Sequence, residues 1–188
     1  MNKLLIVILS TALTWPGCAP SENTDSVKIE QQIGKNLSGL KAAVSCAHPI
    51  AAEIGAEILY KGGSAVDGSI AIQWALAVCY PIAGNIGGGG FMVLRSRDGV
   101  AETLDFREKA PLNAHPNMFL DNAGIPISDL SRSTHLAVGV PGTVAGLYEA
   151  HQKYGKLPMK ELISPAIRIA REGFPLSRAQ ANRFNEFA

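Results

Sequence analysis

The chain has 188 residues, of which 47% are hydrophobic and 18% are charged, and its formal net charge is +1. This length suits one domain with a single core, and the composition excludes an intrinsically disordered chain. A near-neutral chain without a basic cluster also argues against nucleic acid as a partner.

The N-terminal segment predicts export. Lys3 precedes an apolar run over residues 4–15, which is too short to span a bilayer as a helix but suits the core of a signal peptide. The small residue before Cys18 is typical of a bacterial lipoprotein signal, so in that interpretation residues 1–18 are the signal, Cys18 is lipidated and residues 19–41 form a polar tether. The alternative is an ordinary secretory signal cut nearby. Both predict an exported protein that is periplasmic or anchored to a membrane through lipid.

A short strand and a helix are predicted next. Residues 44–47 are small or apolar and favour a buried strand. Pro49 then begins a helix, a position that suits proline because its missing N–H would have no partner there. Isoleucines at every fourth position give this helix one buried stripe, and the pair Gly62-Gly63 ends it.

A second helix is predicted to lie in the middle of a helical layer. Ser64 and Asp67 have the spacing of a capping box at its start, and Pro81 ends it. Residues 70–78 are apolar on nearly every face of the helix. A helix without a polar face is buried on all sides, and we expect that here.

The cysteines and histidines do not form a metal-binding pattern. Cys46 lies in the predicted strand and Cys79 near the end of the apolar helix. They could form a disulfide in an exported protein, but small apolar thiols also pack well without one. We favour two unpaired cysteines in the core. The chain has no Cys-x-x-Cys, and its four histidines are scattered. No metal or cofactor site is predicted.

A glycine run is the most distinctive local feature. Residues 84–90 read Gly-Asn-Ile-Gly-Gly-Gly-Gly. The Phe91-Met92 pair that follows excludes a phosphate-binding loop of the Walker type, which needs lysine there, and a strand rather than a helix comes next, which excludes the dinucleotide-binding pattern. Two interpretations stay open. The run forms either a floor for a small anionic ligand or a tight corner where helix and strand backbones touch.

A hairpin and a long connection follow the glycines. Residues 91–96 and 100–106 are predicted to pair, with Asp98-Gly99 as the turn between them. Arg107 comes at the end of the second strand. Residues 107–140 contain prolines and asparagines and few periodic apolar positions, so we expect them to form a surface connection with a short turn over 121–124.

A helix is predicted to begin at Pro141 and to end at Gly155. The residues expected on one side of it are Val144, Leu147, Tyr148 and His151.

The C-terminal part is predicted to be helical. One or two turns cover residues 157–163, and Ser164-Pro165 restarts a helix as its cap and first residue, which Gly173 ends. Ser177 and Gln180 form a capping box for a last helix, predicted to run to the end of the chain, as in a fragment of a longer protein. The order of helices, hairpin, connection and helices indicates an α+β fold.

Several ordered motifs resemble those of one enzyme family. They include the glycine run 84–90, the segment Asp105-Phe-Arg107-Glu-Lys-Ala-Pro111, and residues 139–150, Gly-Val-Pro-Gly-Thr-Val-Ala-Gly-Leu-Tyr-Glu-Ala. From about residue 42 to about residue 176 the chain resembles the large-subunit part of γ-glutamyltransferases. The resemblance implies the αββα sandwich of N-terminal-nucleophile hydrolases, with residues 42–188 as its truncated N-terminal part.

The resemblance also implies an activity. In that family a precursor cuts itself into a large and a small subunit, and the new N-terminal threonine of the small subunit is the nucleophile. The enzyme takes the γ-glutamyl group of glutathione or a related amide and passes it to water or to an amino acid or peptide. No threonine here lies in the nucleophile's motif, so no catalytic residue is assigned and the chain alone is expected to be inactive. Thr143, at a helix start, is expected to act as a cap.

One substrate contact follows from the resemblance. The arginine of the Asp-Phe-Arg motif, here Arg107, is expected to bind the α-carboxylate of the γ-glutamyl group, since a guanidinium can hold a carboxylate with two parallel bonds. The alternative is an ordinary ion pair with Asp105, Glu102 or Glu108. Two other functions are also open. They are a related acylase, for glutaryl, cephalosporin or poly-γ-glutamate substrates, and a truncated, non-catalytic exported binding protein.

Overall fold

The computed structural model describes residues 42–186, so the predicted signal peptide with Cys18 and the predicted tether lie outside the described residues. In chain order the described elements are α1 (Pro49–Tyr60), α2 (Ala65–Cys79), β1 (Phe91–Arg95), β2 (Ala101–Asp105), a 3-10 turn (His135–Ala137), α3 (Thr143–Tyr154), α4 (Met159–Glu172) and α5 (Arg178–Asn185). Helices on either side of a hairpin agree with the predicted α+β class.

The core lies around α2, which contacts α1, α3 and α4. Ile58 of α1 and Ile70 of α2 are completely buried, and burial of each side chain contributes about 1.5–3 kcal/mol. The capping box predicted at the start of α2 is present. The Ser64 N–H donates to Asp67 Oδ2 at 2.7 Å, while the Asp67 N–H donates to Ser64 Oγ at 3.1 Å.

The prediction that α2 is buried on all sides was wrong. Ala71, Ala75 and Cys79 form a completely buried row, whereas Trp74 and Val78 are only partly buried. The reason is that the main neighbours of α2 within residues 42–186 are three helices, which do not enclose it fully. Within that same range, no helix combines the length and apolar character needed to cross a membrane.

The predicted strand over residues 44–47 was also wrong. Val44 and Cys46 are partly buried and their neighbours Ser45 and Ala47 are exposed, so the burial alternates as in a strand. A strand also needs a hydrogen-bonded partner, and the sheet described between residues 42 and 186 has two strands, β1 and β2. Cys46 and Cys79 are both free thiols, as favoured from the sequence.

The hairpin was predicted correctly. Strands β1 and β2 are antiparallel, with Phe91 opposite Asp105 and Arg95 opposite Ala101. Gly99 has φ of +91°, the left-handed conformation that the turn requires and that glycine adopts without strain. The register brings the end of β2 back beside the glycine run, where the Phe106 N–H donates to the carbonyl oxygen of Gly90 at 3.0 Å.

The long connection is closed at its base. The N–H of Lys109 donates to the carbonyl oxygen of Val140 at 3.1 Å, and the N–H of Val140 donates back to Lys109 at 2.8 Å. The predicted turn over 121–124 is present, with Gly124 at φ of +79°. This closure brings Arg107, where the connection begins, next to the start of α3.

Of the four residues expected on one side of α3, the helix buries Leu147 but not Val144 or Tyr148. Val144 is 48% exposed and Tyr148 is 57% exposed, whereas Gly146, Leu147 and Ala150 are buried. The cause is Gly146, because its missing side chain leaves room for the ring of Phe106. The apolar pattern thus included the buried Leu147, and packing at Gly146 selected the rest of the buried face.

Residues 159–172 form one continuous helix, α4, and not two. Pro165 lies inside it, and Ser164 is not a cap, since its hydroxyl donates to the carbonyl oxygen of Lys160 at 2.5 Å. An interior proline costs about 3 kcal/mol, but burial of Leu162 and Ile169 against the core offsets a cost of that size.

The last helix has the predicted capping box. The hydroxyl of Ser177 accepts from the Gln180 N–H at 3.2 Å. The helix ends at Asn185, earlier than predicted, and residues 187–188 lie outside the described residues.

Candidate functional site

Arg107 lies at the surface directly after β2. Its backbone N–H donates to Asp105 Oδ1 at 3.0 Å, and its Nε lies 3.1 Å from Glu108 Oε2. The Arg107 side chain is 63% exposed, with its Cζ 5.8 Å from the centre of the Phe91 ring. The ion pair that was the alternative function of Arg107 is thus present with Glu108, and it uses Nε of the guanidinium. Within residues 42–186 no other carboxylate forms an ion pair with the guanidinium, so its two terminal nitrogens have no carboxylate partner from this part of the chain.

The glycine run is a close-packed corner. A Cβ at Gly84 would overlap the carbonyl oxygen of Leu76 in α2. A Cβ at Gly89 would lie 2.6 Å from the carbonyl oxygen of Phe106 and 2.8 Å from the Cα of Arg107, far inside van der Waals contact. No glycine of the run has positive φ, so here glycine serves close approach and not an unusual backbone conformation. Of the two interpretations left open by the sequence, the tight corner where backbones touch therefore describes this packing.

The start of α3 is packed against the same peptide. A Cβ at Gly142 would overlap the carbonyl oxygen of Phe106, and one at Gly146 would overlap the Phe106 ring. The peptide that joins Phe106 to Arg107 is therefore in close contact with both Gly89 and Gly142. Three backbone segments meet without side chains at the base of the arginine.

A groove opens beside this peptide. Its volume is about 430 Å³, and Phe106, Arg107 and Gly142 are among its lining residues. The charged residues on its wall are Asp105, Arg107, Lys109 and Glu149. The groove therefore offers an exposed guanidinium and a second cation to a small polar ligand.

The glycine run and α3 are joined by hydrogen bonds that the sequence did not predict. The carbonyl oxygen of Gly88 accepts from the N–H groups of Gly142 at 2.8 Å and Thr143 at 3.0 Å. The side-chain oxygen of Asn85 accepts from the Gly88 N–H at 2.9 Å and from the Thr143 hydroxyl at 2.7 Å. A polar side chain in a glycine-rich segment needs hydrogen-bond partners when the segment is packed, and that was the available signal for Asn85.

The predicted capping role of Thr143 was wrong. Gly142 occupies the cap position and Thr143 is the first residue of α3. The Thr143 side chain is completely buried. Its hydroxyl points to Asn85 because the carbonyl oxygen of Gly88 already satisfies the first N–H groups of the helix.

The far end of α3 is held to the hairpin as well. The hydroxyl of Tyr154 donates to Glu102 of β2, and this bond raises the pKa of Tyr154. Thus α3 runs beside β2 with one end at Phe106 and the other at Glu102. In the described part of the chain, no three histidine, cysteine or acidic side chains come together in a way that could hold a metal ion.

Comparison with known proteins places this fold among the N-terminal-nucleophile hydrolases. γ-Glutamyltranspeptidase from Helicobacter pylori matches with a TM-score of 0.73 at 49% identity, over 77% of this chain and 42% of that chain. The enzyme from Pseudomonas nitroreducens, solved in complex with L-DON, matches with a TM-score of 0.71 at 48% identity, over 77% of this chain and 43% of that chain. The predicted fold class is confirmed by these structures.

The sequence comparisons give the family. The family model described as gamma-glutamyltranspeptidase matches residues 51–188, and the chain belongs to that family. The glutathione hydrolase proenzyme of Escherichia coli K12 is 40% identical over 178 residues, which are 95% of this chain and 31% of that protein. The proenzyme of Pseudomonas sp. strain A14 is 51% identical over 139 residues, 74% of this chain and 24% of that protein. The chain thus spans less than a third of the length of these two relatives.

Proposed function

We propose that this chain supplies the N-terminal part of the large subunit of a γ-glutamyltransferase. The complete enzyme would take the γ-glutamyl group of glutathione or a related amide onto a threonine of the small subunit, which comes from the same precursor and lies outside this chain. It would then pass the group to water or to an amino acid or peptide. Family membership favours this function over the acylase and the non-catalytic binding protein. The chain by itself would be inactive, since it would lack the nucleophile.

The observation that carries the proposal is the placement of Arg107. Its guanidinium is exposed beside a groove, and its backbone is in close contact with Gly89 and Gly142. Glu108 engages Nε, which leaves the edge formed by the two terminal nitrogens directed away from that contact. That edge can donate two parallel charge-assisted hydrogen bonds to the α-carboxylate of the γ-glutamyl donor.

The test is Arg107→Lys in the complete, processed enzyme. Lysine keeps the charge but cannot form two parallel bonds, so we expect the KM for a γ-glutamyl anilide to rise roughly 10- to 100-fold, the range for loss of a hydrogen bond to a charged group. A 4-aminobutyryl anilide lacks the α-carboxylate, and its kcat/KM should change little.

The matched control is Arg95→Lys, which makes the same exchange at the opposite end of the hairpin. Arg95 lies outside the groove beside Arg107, so donor kinetics should stay as in the wild type. An Arg107→Lys enzyme with an unchanged KM for the γ-glutamyl donor would refute the assignment.

We also propose that the protein is exported and that Cys18 is lipidated. The support is the short apolar run followed by a small residue and cysteine. Mass spectrometry of the mature N-terminus tests this. An N-terminal peptide that begins with an acylated Cys18 supports lipidation, an unmodified N-terminus created by cleavage supports a secretory signal, and an uncleaved chain in the cytoplasm contradicts export.

A further inference from the structure

From the bonds between the glycine run and α3, we propose that Asn85 and Thr143 are positioning residues for Arg107. This inference rests on the proposed function, because it explains how the donor-binding arginine is held. Neither side chain is among the residues that line the groove beside Arg107. Their effect on the donor would therefore act through the backbone that carries Arg107.

The first step is the bond between the two side chains. The Thr143 hydroxyl is completely buried and donates to Asn85 Oδ1 at 2.7 Å. The same oxygen accepts the N–H of Gly88 at 2.9 Å, and the Asn85 amide nitrogen donates to the carbonyl oxygen of Ala83 at 3.2 Å. Asn85 is thus held at both ends of its amide, and it fixes the orientation of the Gly88 peptide.

The second step joins the glycine run to the start of α3. Once oriented, the Gly88 peptide directs its carbonyl oxygen at the N–H groups of Gly142 and Thr143. Helix α3 has no side-chain cap of its own, so this oxygen takes the place of one. The glycine run and the start of α3 are thereby locked at one separation.

The third step reaches the arginine. Gly89 follows Gly88, and a Cβ on it would lie 2.8 Å from the Cα of Arg107. A Cβ on Gly142 would likewise overlap the carbonyl oxygen of Phe106, the residue before Arg107. Because the glycine run and the start of α3 are both backbone in direct contact with the Phe106–Arg107 peptide, we expect a change in their separation to shift Arg107 relative to the groove.

The experiment is Thr143→Val in the complete, processed enzyme, with the γ-glutamyl anilide and the 4-aminobutyryl anilide as donors. Valine keeps the shape and removes the hydroxyl. We expect the KM for the γ-glutamyl donor to rise roughly 2- to 10-fold, as for loss of one hydrogen bond, with little change in kcat/KM for the donor without the carboxylate. Thr143→Ser keeps the hydroxyl and should restore the wild-type KM.

A double-mutant cycle separates positioning from a general loss of structure. If Thr143 acts through Arg107, Thr143→Val should have little further effect on the γ-glutamyl KM once Arg107 is already lysine. The control is Ser64→Ala, which removes a 3.1 Å bond to the carbonyl oxygen of Tyr154 at the other end of α3 and also the bond from the Asp67 N–H that caps α2. It should lower the melting temperature without raising the donor KM.

The outcomes are distinct. An additive cycle, or an equal effect of Thr143→Val on both donors, overturns the positioning inference and leaves the proposed function standing. An unchanged KM in Arg107→Lys overturns the proposed function itself. If Thr143→Val fails to mature, Asn85→Ala removes the same bond from the other side, and the same additivity with Arg107→Lys would overturn the inference.

Discussion

Gly89→Ala tests whether the glycine run is needed for close packing. The added methyl group would lie 2.6 Å from the carbonyl oxygen of Phe106 and 2.8 Å from both the Cα of Arg107 and the nitrogen of Glu108. All three are backbone atoms at the end of a hydrogen-bonded hairpin, so none can turn aside as a flexible side chain could. One of the two segments must therefore move by roughly 1 Å to restore ordinary van der Waals separation.

The magnitude follows from two opposing effects. Overpacking of this kind costs about 1–3 kcal/mol. Gly89 does not have positive φ, so alanine fits the backbone and recovers about 0.4–1 kcal/mol by restricting the unfolded chain. We expect a net loss of about 1–2 kcal/mol in stability. A shift of about 1 Å at Arg107 should lower kcat/KM for a γ-glutamyl donor by up to roughly 100-fold.

Gly87→Ala is the matched control in the same run. Nothing lies within 4 Å of a Cβ at Gly87, and its φ is not positive either. That variant should be as stable as the wild type or slightly more stable, with unchanged donor kinetics. The assays are the melting temperature and the donor KM of the complete enzyme. Equal behaviour of the two alanine variants would refute the close-packing argument, because they differ only in what surrounds the added methyl group.

Two further predictions concern the core. Asp67→Ala removes a completely buried carboxylate that accepts from the N–H groups of Ser64 at 2.7 Å and Lys156 at 3.0 Å. The two unpaired donors should cost about 3 kcal/mol of stability, measured as a lower melting temperature with an unchanged donor KM. A melting temperature equal to that of the wild type would contradict this prediction. Burial raises the pKa of the Cys79 thiol, because the thiolate is disfavoured in the core. As pH rises, the Cys79 thiol therefore loses its proton in the unfolded chain before it does in the folded one. The thiol leaves the free energy of unfolding unaffected below about pH 8.5 and lowers it as pH rises further. From pH 7 to pH 9.5 the urea midpoint of unfolding should fall more in the wild type than in Cys79→Ala. Equal decreases in the two proteins would contradict the raised pKa of Cys79.

Much of the local structure follows from residues close together in the chain. The capping boxes at Ser64 and Ser177, the turn at Gly99 and the helix stop at Gly173 were all predicted correctly. Each of these features is decided within about four residues, either by a side chain that reaches a nearby N–H or by a backbone conformation that glycine adopts most readily.

The wrong predictions share a different cause. Pro165 was taken as a helix start, but it lies inside α4, where packing against α2 offsets the missing hydrogen bond. The strand over residues 44–47 required a pairing partner, which no local pattern supplies. In each case the outcome depended on an element far away in the chain.

The sequence by itself determined the family motifs and most of the element types, because these depend on residue identity and short-range chemistry. The resemblance carried by those motifs named Arg107 as the candidate donor contact. The tertiary structure decided which glycines are needed for close packing and showed that Thr143 reaches Asn85, 58 residues away, instead of capping its own helix. Glycines have no side chain that could mark their neighbours in the sequence. Their role became visible once the hairpin, the glycine run and α3 were brought against one peptide.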